Sequence, residues 1–181
     1  VLDPVMTAFH ARHPHWTGIG KMTWDAMCAT DILVARDDVD GARIGSVGHS
    51  LGAKEALYHA AFDDRVGATV SSEGGIGVAF SNRHDPWYLG GQAKSSHFMR
   101  EHHELMALIA PRAFLLLGGG SADGERSWPF IRSVLPLYES MGAGERVAFI
   151  NHRQGHAFPR ESESALYEWL DEFLMTTGDD D

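Results

Sequence analysis

The sequence contains one cysteine, no long apolar run and no basic stripe. Because Cys28 stands alone, no disulfide can form within the chain, and the redox compartment stays undetermined. No apolar run approaches about 18 residues, so no membrane-spanning helix is predicted. Lysine and arginine number 15 against 25 acidic residues, which gives a net charge of −10. We therefore expect neither nucleic acid nor a membrane as a partner.

The chain begins at Val1 with neither an initiator methionine nor a signal peptide. We interpret it either as a segment of a longer protein or as an unusually short member of its class. We expect a soluble protein and favour the cytoplasm, although the sequence does not determine the compartment.

Histidine is abundant, with eleven residues, but these residues are scattered along the chain. The pair His10 and His13 and the pair His102 and His103 have spacings that could bind zinc. We favour solvated or locally hydrogen-bonded histidines, and we expect no metal and no cofactor.

Strand and helix alternate from residue 43 to the end of the chain. Strands are predicted at 43–48, 66–72, 113–117 and 146–150, with helices between them and a last helix over about 161–175. This alternation predicts a mostly parallel sheet with helices on both faces, a three-layer α/β/α sandwich. With 44% hydrophobic residues, the 181 residues suffice for a single domain over 1–181. The irregular, aromatic-rich insertion over about 74–100 is where we expect the substrate site.

The stretch Gly48-His49-Ser50-Leu51-Gly52 stands between a predicted strand and a predicted helix. This context is typical of a nucleophile elbow, in which a strained turn exposes the serine hydroxyl. We expect both glycines to provide room between the backbones, and the helix N-terminus to favour an oxyanion. The alternative is an ordinary glycine-rich turn with a surface serine.

Four reactive residues follow the ends of four different predicted strands: Ser50, Glu73, Asp123 and His156. In parallel α/β sheets, ligands bind beyond the carboxyl ends of the strands. We therefore predict that these four side chains meet in one catalytic site.

A serine nucleophile needs a base, and the base needs a carboxylate that orients it. His156 is the candidate base, with His152 as its rival. Asp123 and Glu73 compete for the carboxylate, since both satisfy the order nucleophile, acid, histidine. We favour Asp123, because its glycine-rich turn follows the strand next to the histidine's strand in chain order. Glu73 could then serve as a second acid, as a substrate contact or as a tie for its own glycine loop.

These motifs resemble those of the α/β-hydrolases, in particular the dienelactone-hydrolase-like proteins, acetyl xylan esterases and glucuronoyl esterases. The resemblance covers about residue 20 to the end, through Gly48–Gly52, Ser72-Glu73-Gly74-Gly75, Gly119–Asp123 with Ser127-Trp128-Pro129, and Gly155-His156. It implies a serine ester hydrolase that uses Ser50, His156 and an acid. Lys54 matches a lysine that glucuronoyl esterases use near the sugar, and Glu73 matches the acid position of some of them.

The sequence departs from glucuronoyl esterases beside the nucleophile. Those enzymes carry an arginine where this chain has Leu51 and a glycine where it has Ala53, so we assign no uronate substrate. The Leu51 N–H supplies one oxyanion donor, and no His-Gly-Gly-Gly-like segment supplies a second. Losing one such donor typically costs about 10²–10³ in rate.

The family's strands before the nucleophile strand also have no counterpart in the sequence. Residues 4–12 predict a short helix, and a second helix follows with Thr23 as its expected cap. The chain therefore predicts a truncated or minimal version of the fold, with the serine's strand near a bare sheet edge. Such an edge could pair with a second copy to form a homodimer.

We predict a serine carboxylic ester hydrolase that acts through an acyl-enzyme on small or carbohydrate-linked esters. The predicted substrate contacts are His49, Lys54, Arg83 and Trp87, the last two from the aromatic and polar stretch over 76–96. The alternative is a non-catalytic α/β-hydrolase-like fragment that binds a ligand or a partner.

Overall fold

A computed structural model describes residues 2–85 and 88–175 of the chain. Within these residues, the elements in chain order are α1 (Leu2–Arg12), α2 (Gly18–Val34), β1 (Ile44–His49), α3 (Leu51–Phe62), β2 (Val66–Ser72), α4 (His103–Ile109), β3 (Ala113–Gly118), α5 (Trp128–Ser140), β4 (Val147–Asn151) and α6 (Arg160–Leu170). A π-helical turn, Asp171–Met175, continues α6. The irregular segment between β2 and α4 contains three short 3₁₀ helices, Val78–Phe80, Asn82–His84 and Gly90–Lys94.

The four strands form one parallel sheet in the order β1-β2-β3-β4. The predicted parallel sheet is therefore confirmed. Because each strand lies beside its chain neighbour, all four carboxyl ends reach the same edge of the sheet. Strand β1, which leads to Ser50, is an outer strand of this sheet.

Helices cover both faces of the sheet, which confirms the three-layer arrangement. On one face, Phe114 and Leu116 of β3 belong to a large apolar cluster that includes residues from α3, α4 and α5. On the other face, Leu115 and Leu117 pack with Leu166 of α6. The alternation of side chains along β3 explains its continuous apolar run, since both of its faces are buried.

The N-terminal helices differ from the prediction at one boundary. Helix α2 begins at Gly18, and Thr17 caps it by accepting a hydrogen bond from the Gly20 N–H at 3.1 Å. Thr23 is not the cap: it lies one turn inside the helix, where its hydroxyl donates to the Ile19 carbonyl at 2.8 Å. None of the helices that the structure describes is long and apolar enough to cross a lipid bilayer.

A buried histidine connects α2, α3 and β1. The ring of His59 on α3 bonds through Nε2 to the Thr30 hydroxyl on α2, at 2.9 Å, and through Nδ1 to the Ser46 hydroxyl on β1, at 3.1 Å. These contacts hold the helix that follows Ser50 against the strand that precedes it.

Backbone pairing continues one residue beyond the strand ends, and this positions the site. The Ser50 N–H donates to the Ser72 carbonyl at 2.8 Å, and the Glu73 N–H donates to the Leu117 carbonyl at 2.9 Å. These hydrogen bonds therefore fix the backbone of Ser50 and Glu73 side by side at the carboxyl edge of the sheet.

Candidate active site

Ser50 occupies a strained turn between β1 and α3. Its backbone has φ 57° and ψ −111°, on the left-handed side that non-glycine residues rarely adopt. A Cβ on Gly48 would overlap the backbone of Gly52 and Ala53, so this position requires glycine. The expectation for Gly52 is wrong, since a Cβ there would meet nothing within 4 Å. The close approach explains one glycine of the motif and leaves the other free to vary.

Ser50, His156 and Glu73 form a hydrogen-bonded chain. The Ser50 hydroxyl lies 2.8 Å from His156 Nε2, and His156 Nδ1 lies 3.2 Å from Glu73 Oε2. The Glu73 side chain is fully buried, whereas that of His156 is about half exposed, at 45%. A buried carboxylate on Nδ1 leaves Nε2 free to accept the serine proton, which is the arrangement of a serine nucleophile with its base.

The structure places Glu73, and not Asp123, against the histidine. The expected contact between Asp123 and His156 is therefore wrong in its geometry. Glu73 follows β2 directly, with φ 52°, and this left-handed conformation turns its side chain towards the loop after β3. Asp123 lies five residues beyond the end of β3, where its carboxylate has other partners.

The Glu73 carboxylate is held by backbone N–H groups of the loop after β3. Oε1 accepts from Gly119 and from Asp123, the latter at 3.2 Å, and Oε2 accepts from Ala122 at 2.7 Å. Burial alone would raise the pKa of Glu73, but these hydrogen bonds and the one from His156 outweigh it and lower the pKa. Glu73 therefore remains a carboxylate, as stabilisation of an imidazolium requires.

Asp123, in the loop after β3, holds the backbone of the loop that follows Glu73. Its carboxylate accepts the N–H groups of Gly75 and Ile76 at 2.7 and 2.8 Å, and the hydroxyl of Ser127 at 2.8 Å. Burial raises its pKa above the ordinary value, against the effect of these hydrogen bonds. Asp123 thus positions the loop that carries Glu73 and does not contact the histidine.

Glycine contacts position the loop that carries His156. The Gly155 N–H donates to the Gly119 carbonyl at 2.8 Å, and a Cβ on Gly119 would overlap the Gly155 backbone. The rival histidine, His152, is attached to the end of β3 by its N–H, and its Nδ1 accepts from the Gln154 N–H at 3.1 Å. His156 is therefore the histidine that the fold brings to the serine.

A cavity of about 430 Å³ opens beside Ser50 and His156. Helix α3 contributes Lys54, and the segment after β2 contributes Phe80, Asn82 and Tyr88. The irregular segment after β2 therefore lines the cavity beside Ser50, and its role in substrate binding stays a prediction. Arg126, which also lines the cavity, was not predicted, because nothing in its local sequence distinguishes it from a surface arginine.

Of the other three predicted substrate contacts, the two that the structure describes do not line this cavity. Arg83 does not line the cavity: it is 1% exposed and bonds through Nε to the Gly75 carbonyl at 3.2 Å. His49 does not line it either. Its ring packs against that of His156, with 4.8 Å between the ring centres. Trp87 lies outside the described residues.

Lys54 is a buried cation at the wall of the cavity. It is 5% exposed, and its ammonium lies 5.1 Å from the centre of the Tyr88 ring. Burial, together with repulsion from Arg83, lowers the pKa of Lys54 from 10.5 to about 8, although Asp123 and Asp85 act in the opposite direction. The charged form therefore reduces the stability of the folded chain at neutral pH.

Among the described residues, no group of three or more histidine, cysteine or acidic side chains is placed to hold a metal ion. The ionisable groups of the site are instead Ser50, His156 and Glu73 in a line, with Lys54 at the cavity wall.

The sequence and the fold are similar to those of known proteins. No family model matches the sequence. It is 28% identical over 164 residues, 83% of this chain and 54% of the other, to "Putative hydrolase YtaP" of Bacillus subtilis (strain 168). A glucuronoyl esterase of carbohydrate esterase family 15 from Caldicellulosiruptor kristjansonii superimposes with a TM-score of 0.72 at 24% identity, over 84% of this chain and 49% of that one. The chain has the α/β-hydrolase fold.

A second solved structure gives the same result for the fold. The glucuronoyl esterase from Solibacter usitatus superimposes with a TM-score of 0.73 at 21% identity, over 86% of this chain and 48% of that one. The chain thus spans about half the length of the relatives that it matches. In this α/β-hydrolase fold the site is formed where β1, β2 and β4 end.

The elbow geometry predicts different outcomes for its two glycines. We expect Gly48→Ala to lower the free energy of unfolding by about 2 kcal/mol or more, because the methyl group overlaps the start of α3. Gly52→Ala should leave stability unchanged or slightly raised, since it fills open space in a helix. Urea denaturation of both variants tests this, and equal losses would contradict the role given to Gly48.

The carboxylate contacts predict a ranking between the two acids. Glu73→Gln should lower kcat by up to about 10⁴, because His156 loses the carboxylate that orients it and stabilises its charged form. Asp123→Asn should lower the melting temperature and reduce kcat far less, because it disturbs the loop over 75–76. Steady-state kinetics on an ester, with thermal melting of both variants, checks the ranking. A larger loss of kcat in Asp123→Asn would contradict it.

The buried ammonium of Lys54 predicts a pH-dependent stability. Because the pKa is about 8 in the folded chain and 10.5 ordinarily, the charge destabilises the fold fully below pH 8, and the cost fades between pH 8 and 10.5. The stability gained by Lys54→Met should therefore shrink over that interval, by at most roughly 3 kcal/mol. Urea denaturation from pH 7 to 10.5 measures it. Lys94→Met, at an exposed site, is the control, and a pH-independent difference for Lys54→Met would contradict the prediction.

Proposed function

We propose that this chain carries the catalytic residues of a serine carboxylic ester hydrolase that acts through an acyl-enzyme. The supporting observation is the continuous line from the Ser50 hydroxyl to His156 at 2.8 Å and from His156 to the buried Glu73 at 3.2 Å. The strained turn at Ser50 adds to it, because it exposes the hydroxyl at the start of a helix.

In the first half of the reaction, Ser50 Oγ attacks the ester carbonyl carbon while His156 Nε2 takes the hydroxyl proton. Glu73 accepts a hydrogen bond from Nδ1 and stabilises the imidazolium that forms. Leu51 is the first residue of α3, so its N–H has no carbonyl one turn earlier in the helix and can donate to the oxyanion. His156 then protonates the departing alcohol, which leaves an acyl group on Ser50.

In the second half, water replaces the alcohol. His156 takes a proton from the water, and the resulting hydroxide attacks the acyl carbonyl carbon. The tetrahedral intermediate collapses, the carboxylic acid leaves, and His156 returns the proton to Ser50 Oγ. We identify no second oxyanion donor among the described residues, so we expect a modest rate from them alone.

We propose small or carbohydrate-linked esters as the substrate class. The similarity of the fold to glucuronoyl esterases supports a sugar-linked ester, and the cavity has both aromatic and polar side chains beside the nucleophile. Leu51 and Ala53 stand where the resemblance would place arginine and glycine, and for this reason we propose no uronate.

Removal of the nucleophile tests the proposed function. Ser50→Ala should lower the hydrolysis of p-nitrophenyl acetate by up to about 10⁶, and it should abolish stoichiometric labelling by a fluorophosphonate probe. Ser133→Ala, which removes an exposed serine on α5, is the matched control. If the wild-type chain and Ser50→Ala hydrolyse the ester equally above background and neither is labelled, the binding-scaffold alternative holds.

A further inference from the structure

Lys54 brings a positive charge without an ion-pair partner to the cavity beside the nucleophile. Within residues 2–85 and 88–175 its ammonium forms no ion pair, and it lies 5.1 Å from the centre of the Tyr88 ring. A lysine that is only 5% exposed normally has an acidic partner, because an unpaired buried charge is costly. The side chain lines the same cavity as Ser50, and Lys54 is the fourth residue of the helix that begins directly after Ser50.

The acidic residues around Lys54 are already committed to other groups. Both oxygens of Glu73 accept backbone N–H groups and His156, and both oxygens of Asp123 accept backbone N–H groups of the loop over 75–76. Asp85, which is partly exposed, lies 3.5 Å from the His84 ring. None of these carboxylates comes within ion-pairing distance of Lys54.

Two arginines add positive charge at the same place. Arg83, buried beneath the cavity, leaves Nη1 without a hydrogen-bond partner among the described residues, and its charge repels Lys54. Arg126 lines the cavity with its guanidinium 4.6 Å from the Phe80 ring. In a chain with a net charge of −10, three cations thus lie near the proposed nucleophile, and none of the neighbouring carboxylates forms an ion pair with Lys54. Positive charge that burial destabilises is expected where it has a functional use.

We infer that the site is built for an ester that also carries an ionised carboxylate, and that Lys54 binds this carboxylate. This inference rests on the proposed ester hydrolase function and narrows its substrate class. Lys54 lies one turn into the helix that begins directly after Ser50, and both side chains line one cavity. We therefore choose test substrates whose carboxylate is joined to the scissile ester by a short carbon chain.

The anion would find a prepared position. The aromatic face of Tyr88 lies against the ammonium, and Asn82, which lines the same cavity, offers an amide donor for the second carboxylate oxygen. A charge-assisted hydrogen bond between the Lys54 ammonium and a carboxylate favours the charged substrate by about 10- to 100-fold over a neutral one of the same shape.

The test compares esters that differ only by a carboxylate or a carboxamide. Monomethyl glutarate and methyl glutaramate place the group on the acyl side, and 4-acetoxybutyrate and 4-acetoxybutyramide place it on the alcohol side. We expect at least one carboxylate ester to exceed its amide partner in kcat/KM by about 10- to 100-fold at pH 7. In Lys54→Met this ratio should fall towards one, whereas Lys54→Arg should retain part of it.

The pH profile adds a readout that a merely structural role of Lys54 would not produce. The preference for the carboxylate ester should decline as the pH rises through about 8, where Lys54 loses its proton in the free protein. The charged and titratable groups that face Lys54 are Arg83, Asp123, Asp85 and Tyr88, with Glu73, His156 and Arg126 across the cavity. Because both esters of a pair meet the same catalytic residues, the ratio isolates Lys54.

A binding measurement separates this inference from the proposed function. Titration calorimetry at pH 7 should show that glutarate binds the wild-type chain at least tenfold more tightly than Lys54→Met, with Lys94→Met as the matched control. Neutral esters that are hydrolysed without any preference for the carboxylate, and glutarate that binds both proteins equally, would overturn the anion site and leave the hydrolase standing. Selective glutarate binding without turnover or fluorophosphonate labelling would sustain the anion site and remove the hydrolase.

Discussion

The site depends on two carboxylates, each of which holds the backbone of the other's loop. Glu73, at the end of β2, accepts N–H groups from the loop after β3, and Asp123 in that loop accepts N–H groups from the residues that follow Glu73. Each loop thus supplies hydrogen bonds that hold the other in place. The carboxylate that faces His156 is thus positioned by two chain segments about fifty residues apart, and its low pKa comes from the same hydrogen bonds. The orientation of the Glu73 carboxylate and its negative charge therefore have a common origin.

The buried charges of the site fall into two groups, one with hydrogen-bond partners for every polar atom and one without ion-pair partners. Around Glu73 every oxygen has a donor, so its negative charge is stable although it is fully buried. Lys54 and Arg83 form no ion pair within the described residues, and burial lowers the pKa of both. Satisfied buried groups make a structure rigid, whereas unsatisfied ones reduce its stability until a ligand supplies the missing partner. This contrast is consistent with a catalytic role for Glu73 and with substrate binding near Lys54.

Sequence patterns predicted the strands, the sheet and the meeting of Ser50 with His156, because hydrophobic periodicity and the order of elements determine where strand ends lie. They did not identify the acid, because Asp123 and Glu73 both follow strand ends, and the choice depends on which loop presents N–H groups to which carboxylate. Burial of Arg83 was equally hidden, since a charged residue in an irregular segment normally faces solvent. Thr23 resembles a cap in sequence, but Thr17 is the threonine with an extended backbone before the helix.

The position of β1 at the outside of the sheet has a consequence for how the site fails on heating. Within the described residues β1 pairs with β2 alone, whereas β2 and β3 each have strands on both sides. A strand with one neighbour opens at a lower free energy than a central one. For the described residues by themselves, we therefore expect Ser50 to separate from His156 while the sheet around Glu73 stays closed. Loss of the reactive serine geometry would be a local, reversible event that precedes melting, so inactivation and unfolding would have separate temperatures.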